Sequence, residues 1–190
     1  MISSKYDNIS VEVSTPFGIG YFNELLLKYI DNKQLKIKIF IAIFGVGFAL
    51  AAKLQKRKSR VAVIVGDGET NEGSIWEAAM SAAKHKLSNL TIFIDYNKIQ
   101  SYGFVSEVLH LEPMADKWTS FGFTVKEING HDVNELKKQL SKLPYSNEKP
   151  TAFICHTIKG KGFPFAENDP TWHHKSNLTD EEIQKMYDSI

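Results

Sequence analysis

The residues with the clearest chemical potential are Gly66-Asp67-Gly68-Glu69 and, thirty positions on, Asp95-Tyr96-Asn97-Lys98-Ile99. Each group follows an apolar, β-rich run, Val61–Val65 and Leu90–Asp95. Two glycines around an aspartate permit a tight turn and let backbone N–H groups approach a phosphate. The aspartate offers a hard oxygen suited to Mg²⁺, which takes a few protein oxygens together with phosphate oxygens. Sequential parallel strands are often neighbours, so Asp67 and Asn97 are expected to converge on one metal holding a diphosphate. A Gly-Asp-Gly turn alone is also what a plain turn looks like; the second group, at the end of the next strand, marks a site.

Those two runs belong to a regular alternation. Further strands are expected at Thr124–Ile128 and Thr151–His156, with helices at Gly73–His85, Met114–Phe121, Val133–Leu143 and Asp180–Tyr187. Strands and helices alternating at these lengths predict an α/β domain, a parallel sheet with helices on both faces. Continuously apolar strands fit a sheet covered on both sides, and ligands in such sheets bind at the C-terminal strand ends. Asp132 is placed to cap the helix beginning at Val133 while Glu135 reaches back, and Thr179 with Glu182 repeats the pattern. Gly45–Leu54 reads as a small-residue helix able to pack closely, and Ile19–Phe44 as a helix followed by a strand.

The totals agree with one globular unit. The chain has 190 residues, 43% apolar and 24% charged, with a net charge of +1, which gives no support for nucleic-acid binding. Cys155 is the only cysteine, so no intrachain disulfide forms and a cytoplasmic location is expected; its apolar surroundings point to a buried structural thiol. The start is polar, without a secretory apolar stretch. The uncharged run from Ile39 to Ala52 is shorter than the roughly 20 residues of a spanning helix.

The segment Gly66–Ala78, followed by Leu87-Ser88-Asn89-Leu90 and Asp95–Gln100, resembles the thiamine diphosphate motif of transketolases. The similarity is closest to the N-terminal subunits of split bacterial transketolases. It continues through Lys117-Trp118, Asn129-Gly130-His131-Asp132, Thr157–Gly162 and Trp172-His173. The resemblance implies the thiamine diphosphate-binding fold over residues 45–190, after a divergent segment 1–44. It implies that Asp67 and Asn97 ligate Mg²⁺ by side chain and Ile99 by its backbone carbonyl. Gly66, Gly68, Glu69 and their neighbours would contact the diphosphate. His173 would be the family's histidine near cofactor and substrate, with adjacent His174 the alternative match.

Glu72 and Glu77 are read either as dimer-interface acids or as a solvated helix face. His131 is read as a turn and cap residue. Trp76, Trp118 and Phe121 are assigned to the core, and Lys159 and Lys161 either face a phosphate or are solvated. The implied activity is transfer of a two-carbon ketol unit between sugar phosphates, the cofactor acting as electron sink. The glutamate that activates the cofactor belongs in this family to a pyrimidine-binding domain, so a partner subunit is expected, in a dimer or heterotetramer. Two departures stand against full activity: no Lys-Gly-His segment precedes Val11, and some two dozen atypical residues separate Val11–Gly20 from Gly45. They leave a truncated, non-catalytic paralogue as one alternative; the other is a 2-oxo acid dehydrogenase α subunit.

Overall fold

The structure, a computed structural model, describes residues 35–37, 42–101, 103–173 and 175–189. Most of the Ile19–Phe44 stretch, the Val11–Gly20 loop and His174 lie outside the described residues. Five strands form one parallel sheet: β1 (Leu35–Ile37), β2 (Arg60–Gly66), β3 (Leu90–Tyr96), β6 (Thr124–Asn129) and β7 (Thr151–His156). Their order across the sheet is β1-β2-β3-β7-β6. A two-stranded antiparallel ribbon, β4 (Ile99–Gln100) and β5 (Gly103–Phe104), follows β3. The helices are α1 (Ala42–Leu54), α2 (Gly73–Lys84), α3 (Val105–Val108), α4 (Met114–Ser120), α5 (Val133–Leu140) and α6 (Asp180–Asp188).

Alternation along each central strand divides the core in two. Val61, Val63 and Val65 of β2, Ile92 and Ile94 of β3, and Ala152 and Ile154 of β7 pack with α1, α2 and α4. Ala62, Ile64, Phe93, Phe153 and Cys155 point the other way, toward Leu136 of α5 and Leu143. A strand's side chains alternate between faces, so apolar residues on both fix β2, β3 and β7 as interior strands. β6, at the sheet edge, exposes Lys126 and Glu127 instead. In α2, Ile75, Ala78, Ala79 and Ala82 recur at helical spacing and are buried, leaving Glu77, Met80 and Lys84 outside.

The aromatic residues expected in the core are there. Trp118 is fully buried and lies 5.0 Å, ring to ring, from Trp76, which in turn lies 4.9 Å from Phe121. Cys155 is fully buried, and burial pushes its thiol well above the ordinary range. Helix starts follow the expected chemistry with one difference. Asp132 Oδ1 accepts from the N–H groups of Asn134 (2.9 Å) and Glu135 (3.0 Å). Glu135, however, bonds the N–H of Asn129 at 3.1 Å, tying the helix to the end of β6 instead of closing a box on Asp132. The reciprocal box is present at Thr179 and Glu182. Helix α1 begins at Ala42, three residues before the expected start, and α5 ends at Leu140, before Leu143. Among the described residues no helix is long and apolar enough to cross a membrane.

Candidate cofactor site

The parallel register sets β2 and β3 so that Gly66 lies opposite Asp95. The N–H of Asp67 then donates to the Asp95 carbonyl at 3.2 Å, carrying the pairing past the end of β2. The Asp67 side chain is 2% exposed. Its Oδ1 accepts from the Gly68 N–H at 2.7 Å and its Oδ2 from the Lys98 N–H at 2.6 Å. Lys98 is a left-handed turn residue, φ +67°. Asn97 makes that turn rigid: its Oδ1 accepts from Ile99 N–H at 3.1 Å, and its Nδ2 donates to Asp95 Oδ2 at 3.4 Å. Asp67 and the Asn97–Ile99 turn, thirty positions apart in sequence, are therefore hydrogen-bonded neighbours.

The turn after Asp67 is fixed from several sides. Glu69 folds back to accept the Gly66 N–H at 2.6 Å, and Thr70 Oγ1 donates to the Asp67 carbonyl at 2.6 Å. Trp76 Nε1 donates to the Thr70 carbonyl at 2.7 Å, linking the turn to α2. A Cβ on Gly68 would stand 2.9 Å from Cβ of Gln100, so only glycine fits there without displacement. Beside it, Gln100 Nε2 is a buried donor with no hydrogen-bond partner.

β7, inserted between β3 and β6, adds a third wall. The Thr157 N–H donates to the Tyr96 carbonyl at 3.3 Å, and its hydroxyl makes a short hydrogen bond to Asp95 Oδ1. Asp95 and Lys159 are functional candidates that the motif reading passed over or left open. Both follow from one rule, that polar residues at the C-terminal ends of adjacent parallel strands meet.

Burial pushes the Asp67 carboxyl up to about 7; the Lys98 and Gly68 amides and the Lys159 ammonium oppose the shift, and nearby Asp95 adds to it. Burial also raises Asp95, against the Thr157 hydroxyl, Lys159, Asn97 and His131. Lys159 is itself lowered by burial and held up by the two carboxylates. The site thus gathers two buried carboxyl groups and one half-buried cation, a desolvated arrangement typical of functional sites.

The remaining sequence candidates have the following settings. His173 follows a 3₁₀ turn (Pro170–Trp172), half-buried, its N–H bonded to the Pro170 carbonyl at 3.0 Å. Glu72 precedes α2 and Glu77 lies on its exposed face. Lys161 is exposed and pairs with Glu167 at 3.2 Å. His131 Nε2 accepts the Ile158 N–H at 2.8 Å, a link between two strand ends rather than a helix cap.

Comparison with known proteins identifies the family. Residues 49–190 match the family model for the transketolase thiamine diphosphate binding domain. One subunit of the apulose-4-phosphate transketolase of Phocaeicola vulgatus is 45% identical over 130 residues, 68% of this chain and 46% of that protein. The 6-deoxy-6-sulfo-D-fructose transketolase subunit SqwG of a Clostridium species is 41% identical over 137 residues, 72% of this chain and 50% of that protein. The chain thus spans about half the length of these curated relatives. The transketolase crystal structure from Campylobacter jejuni superposes with a TM-score of 0.69 at 31% identity, covering 78% of this chain and 24% of that one. The chain belongs to the transketolase family and carries its thiamine diphosphate-binding domain, in the form found in N-terminal subunits of split enzymes.

Proposed function

We propose that this chain, through residues 45–190, binds thiamine diphosphate with Mg²⁺ and serves as one subunit of a ketol-transferring enzyme acting on sugar phosphates. The observation that carries the reading is Asp67, a buried carboxylate held by the amides of Gly68 and Lys98 against the Asn97–Ile99 turn. Among the described residues no three His, Cys, Asp or Glu side chains form a metal cluster. The proposed ligands are instead one carboxylate (Asp67), one amide (Asn97) and one carbonyl (Ile99). So sparse a protein set suits Mg²⁺ that takes its remaining oxygens from phosphate and water. The diphosphate would lie over Gly66, Gly68 and Glu69, where the unpartnered Gln100 Nε2 offers a donor.

When bound, the cofactor supplies the electron sink for breaking a carbon–carbon bond. The residues of this chain orient it, exclude water and hold charge: Asp67 and Asn97 clamp the metal, and Lys159 balances the carboxyl groups. His173 is proposed to serve at the substrate side of the cofactor. A pyrimidine-domain subunit is proposed as partner, in a cytoplasmic dimer or heterotetramer. The two relatives described above support this, since each is named as one subunit of its transketolase, which implies a second subunit in those proteins.

The test is calorimetric titration of thiamine diphosphate and Mg²⁺ into the chain with its partner subunit, followed by assays of ketol transfer and of 2-oxo acid decarboxylation. Asp67→Ala and Asn97→Ala, each removing one proposed ligand of the cation, are expected to lower Mg²⁺-dependent affinity by about 10- to 100-fold. Equal binding by wild type and Asp67→Ala would sink the cofactor site. Decarboxylation without ketol transfer would favour the dehydrogenase alternative, and binding without either reaction the non-catalytic paralogue.

A further inference from the structure

The turn Asn129-Gly130-His131 at the end of β6 is the feature that the cofactor reading does not use. Its main chain is pressed against the end of β7: the Gly130 N–H donates to the His156 carbonyl at 2.8 Å. A Cβ at Gly130 would stand 2.4 Å from Thr157 Cγ2 and 3.2 Å from the His156 carbonyl oxygen, so any other residue would push the two strand ends apart. Asn129 Oδ1 accepts the His131 N–H at 3.0 Å and fixes the turn. The imidazole then reaches across to accept the Ile158 N–H at 2.8 Å. Ile158 stands between the two β7-loop residues that enter the site. Thr157, before it, bonds Asp95, and Lys159, after it, lies close enough to Asp67 and Asp95 for its charge to act on both.

We infer that His131 is a positioning residue: by accepting the Ile158 amide through Nε2 it latches the loop after β7 in the one placement that brings Thr157 and Lys159 to the buried carboxylates. A donor N–H can be bonded only by an unprotonated Nε2, so the latch requires the neutral ring carrying its proton on Nδ1. The charged groups around the ring are Lys161 and Glu167 from the loop after β7 and Asp95 from β3. Burial, with Lys161, holds His131 below the usual histidine range, which keeps the ring neutral at ordinary pH. Protonation removes the acceptor and releases the loop.

The latch concerns this chain's own hydrogen bonds; only its effect on cofactor affinity rests on the proposed function, and the test separates the two. Nitrogen-15 spectra of the full chain, with His131 assigned by comparison with His131→Gln, are expected to show the Nδ1–H tautomer and a titration midpoint below 6.5. Amide exchange at residue 158 is expected to speed up about tenfold in His131→Ala and His131→Asn, the worth of about one hydrogen bond. In His131→Gln it should return toward wild type, because the Gln side-chain oxygen reaches the position of Nε2 and the shorter Asn does not. The same order, wild type and Gln above Asn and Ala, is expected for Mg²⁺-dependent thiamine diphosphate affinity, and the acid limb of that affinity should flatten in His131→Gln. An Nε2–H tautomer in wild type, unchanged exchange at residue 158 in His131→Ala, or a Gln variant no better than Asn overturns the latch. If wild type binds no cofactor, the proposed function fails, while tautomer and exchange still decide the latch.

Discussion

Asp67 carries opposing demands. Its carboxyl lies between two amide donors, yet burial raises it from 3.8 to about 7. A carboxyl raised on folding contributes stability that is fully present below its unfolded value near 3.8 and is lost as pH rises through about 7. The metal-free chain therefore gives up stability at Asp67 as pH climbs from about 4 to 8, with a ceiling of roughly 4 kcal/mol for a shift of this size. Asp67→Asn abolishes that slope, although its amide can accept from only one of the two N–H donors, which costs about 1–3 kcal/mol. Urea denaturation of the metal-free proteins at pH 5 and pH 8 should show wild type losing ground to the variant at the higher pH. A constant difference at both values would mean that Asp67 is ionised without strain. A bound divalent cation reverses the balance by favouring the charged carboxylate, the usual trade of stability for function at a site.

At the scale of elements, close packing of α1 on β2 decides how the sheet meets its first helix. A Cβ at Gly45 would stand 2.3 Å from Val63 Cγ2, whereas at Gly47, two residues along the same helix, nothing lies within 4 Å. Gly45→Ala is expected to destabilise the chain by about 1–3 kcal/mol through overpacking. Gly47→Ala should stabilise it by about 0.5–1 kcal/mol, since alanine restricts the unfolded chain and favours helix. Thermal melts of the two variants check this, and shifts of the same sign would contradict the packing. Lys53 anchors the other end of α1 by donating to the carbonyls of His85 and Lys86, both at 2.8 Å, and so joins α1 to the C-terminus of α2. The two helices on either side of β2 and the turn that carries Asp67 are thus tied to each other.

At the scale of the molecule, the strand order β1-β2-β3-β7-β6 gathers the exits of β2, β3, β7 and β6 along one edge. That edge supplies Asp67, the Asp95–Ile99 turn, Thr157 with Lys159, and His131, the residues of the proposed half-site. The chain spans about half of its curated relatives and about a quarter of the transketolase chain of Campylobacter jejuni. Mixing with a pyrimidine-domain subunit is expected to raise thiamine diphosphate affinity by at least tenfold over the chain alone and to shift the sedimentation coefficient. Unchanged affinity and mass on mixing would contradict the proposed half-site.

Much of this was legible in the sequence. The four interior and edge strands were readable because apolar runs bounded by turn residues have few alternatives, and the proximity of the Gly-Asp-Gly turn to Asn97 followed from their places at the ends of successive strands. Trp118 and Cys155 were readable as core from their apolar settings. The tertiary structure alone decided the rest. Glu135 reaches Asn129 instead of its own cap because the preceding strand end lies within its range. Asp95, Thr157 and Lys159 become one cluster only because β7 inserts beside β3, a pairing across some sixty residues that no local pattern encodes. His131 reads as a turn residue in isolation; the backbone contact at Gly130 turns it toward Ile158. Local composition specifies which strands and turns exist, whereas strand order, set by burial of both sheet faces, selects which of their ends share a site.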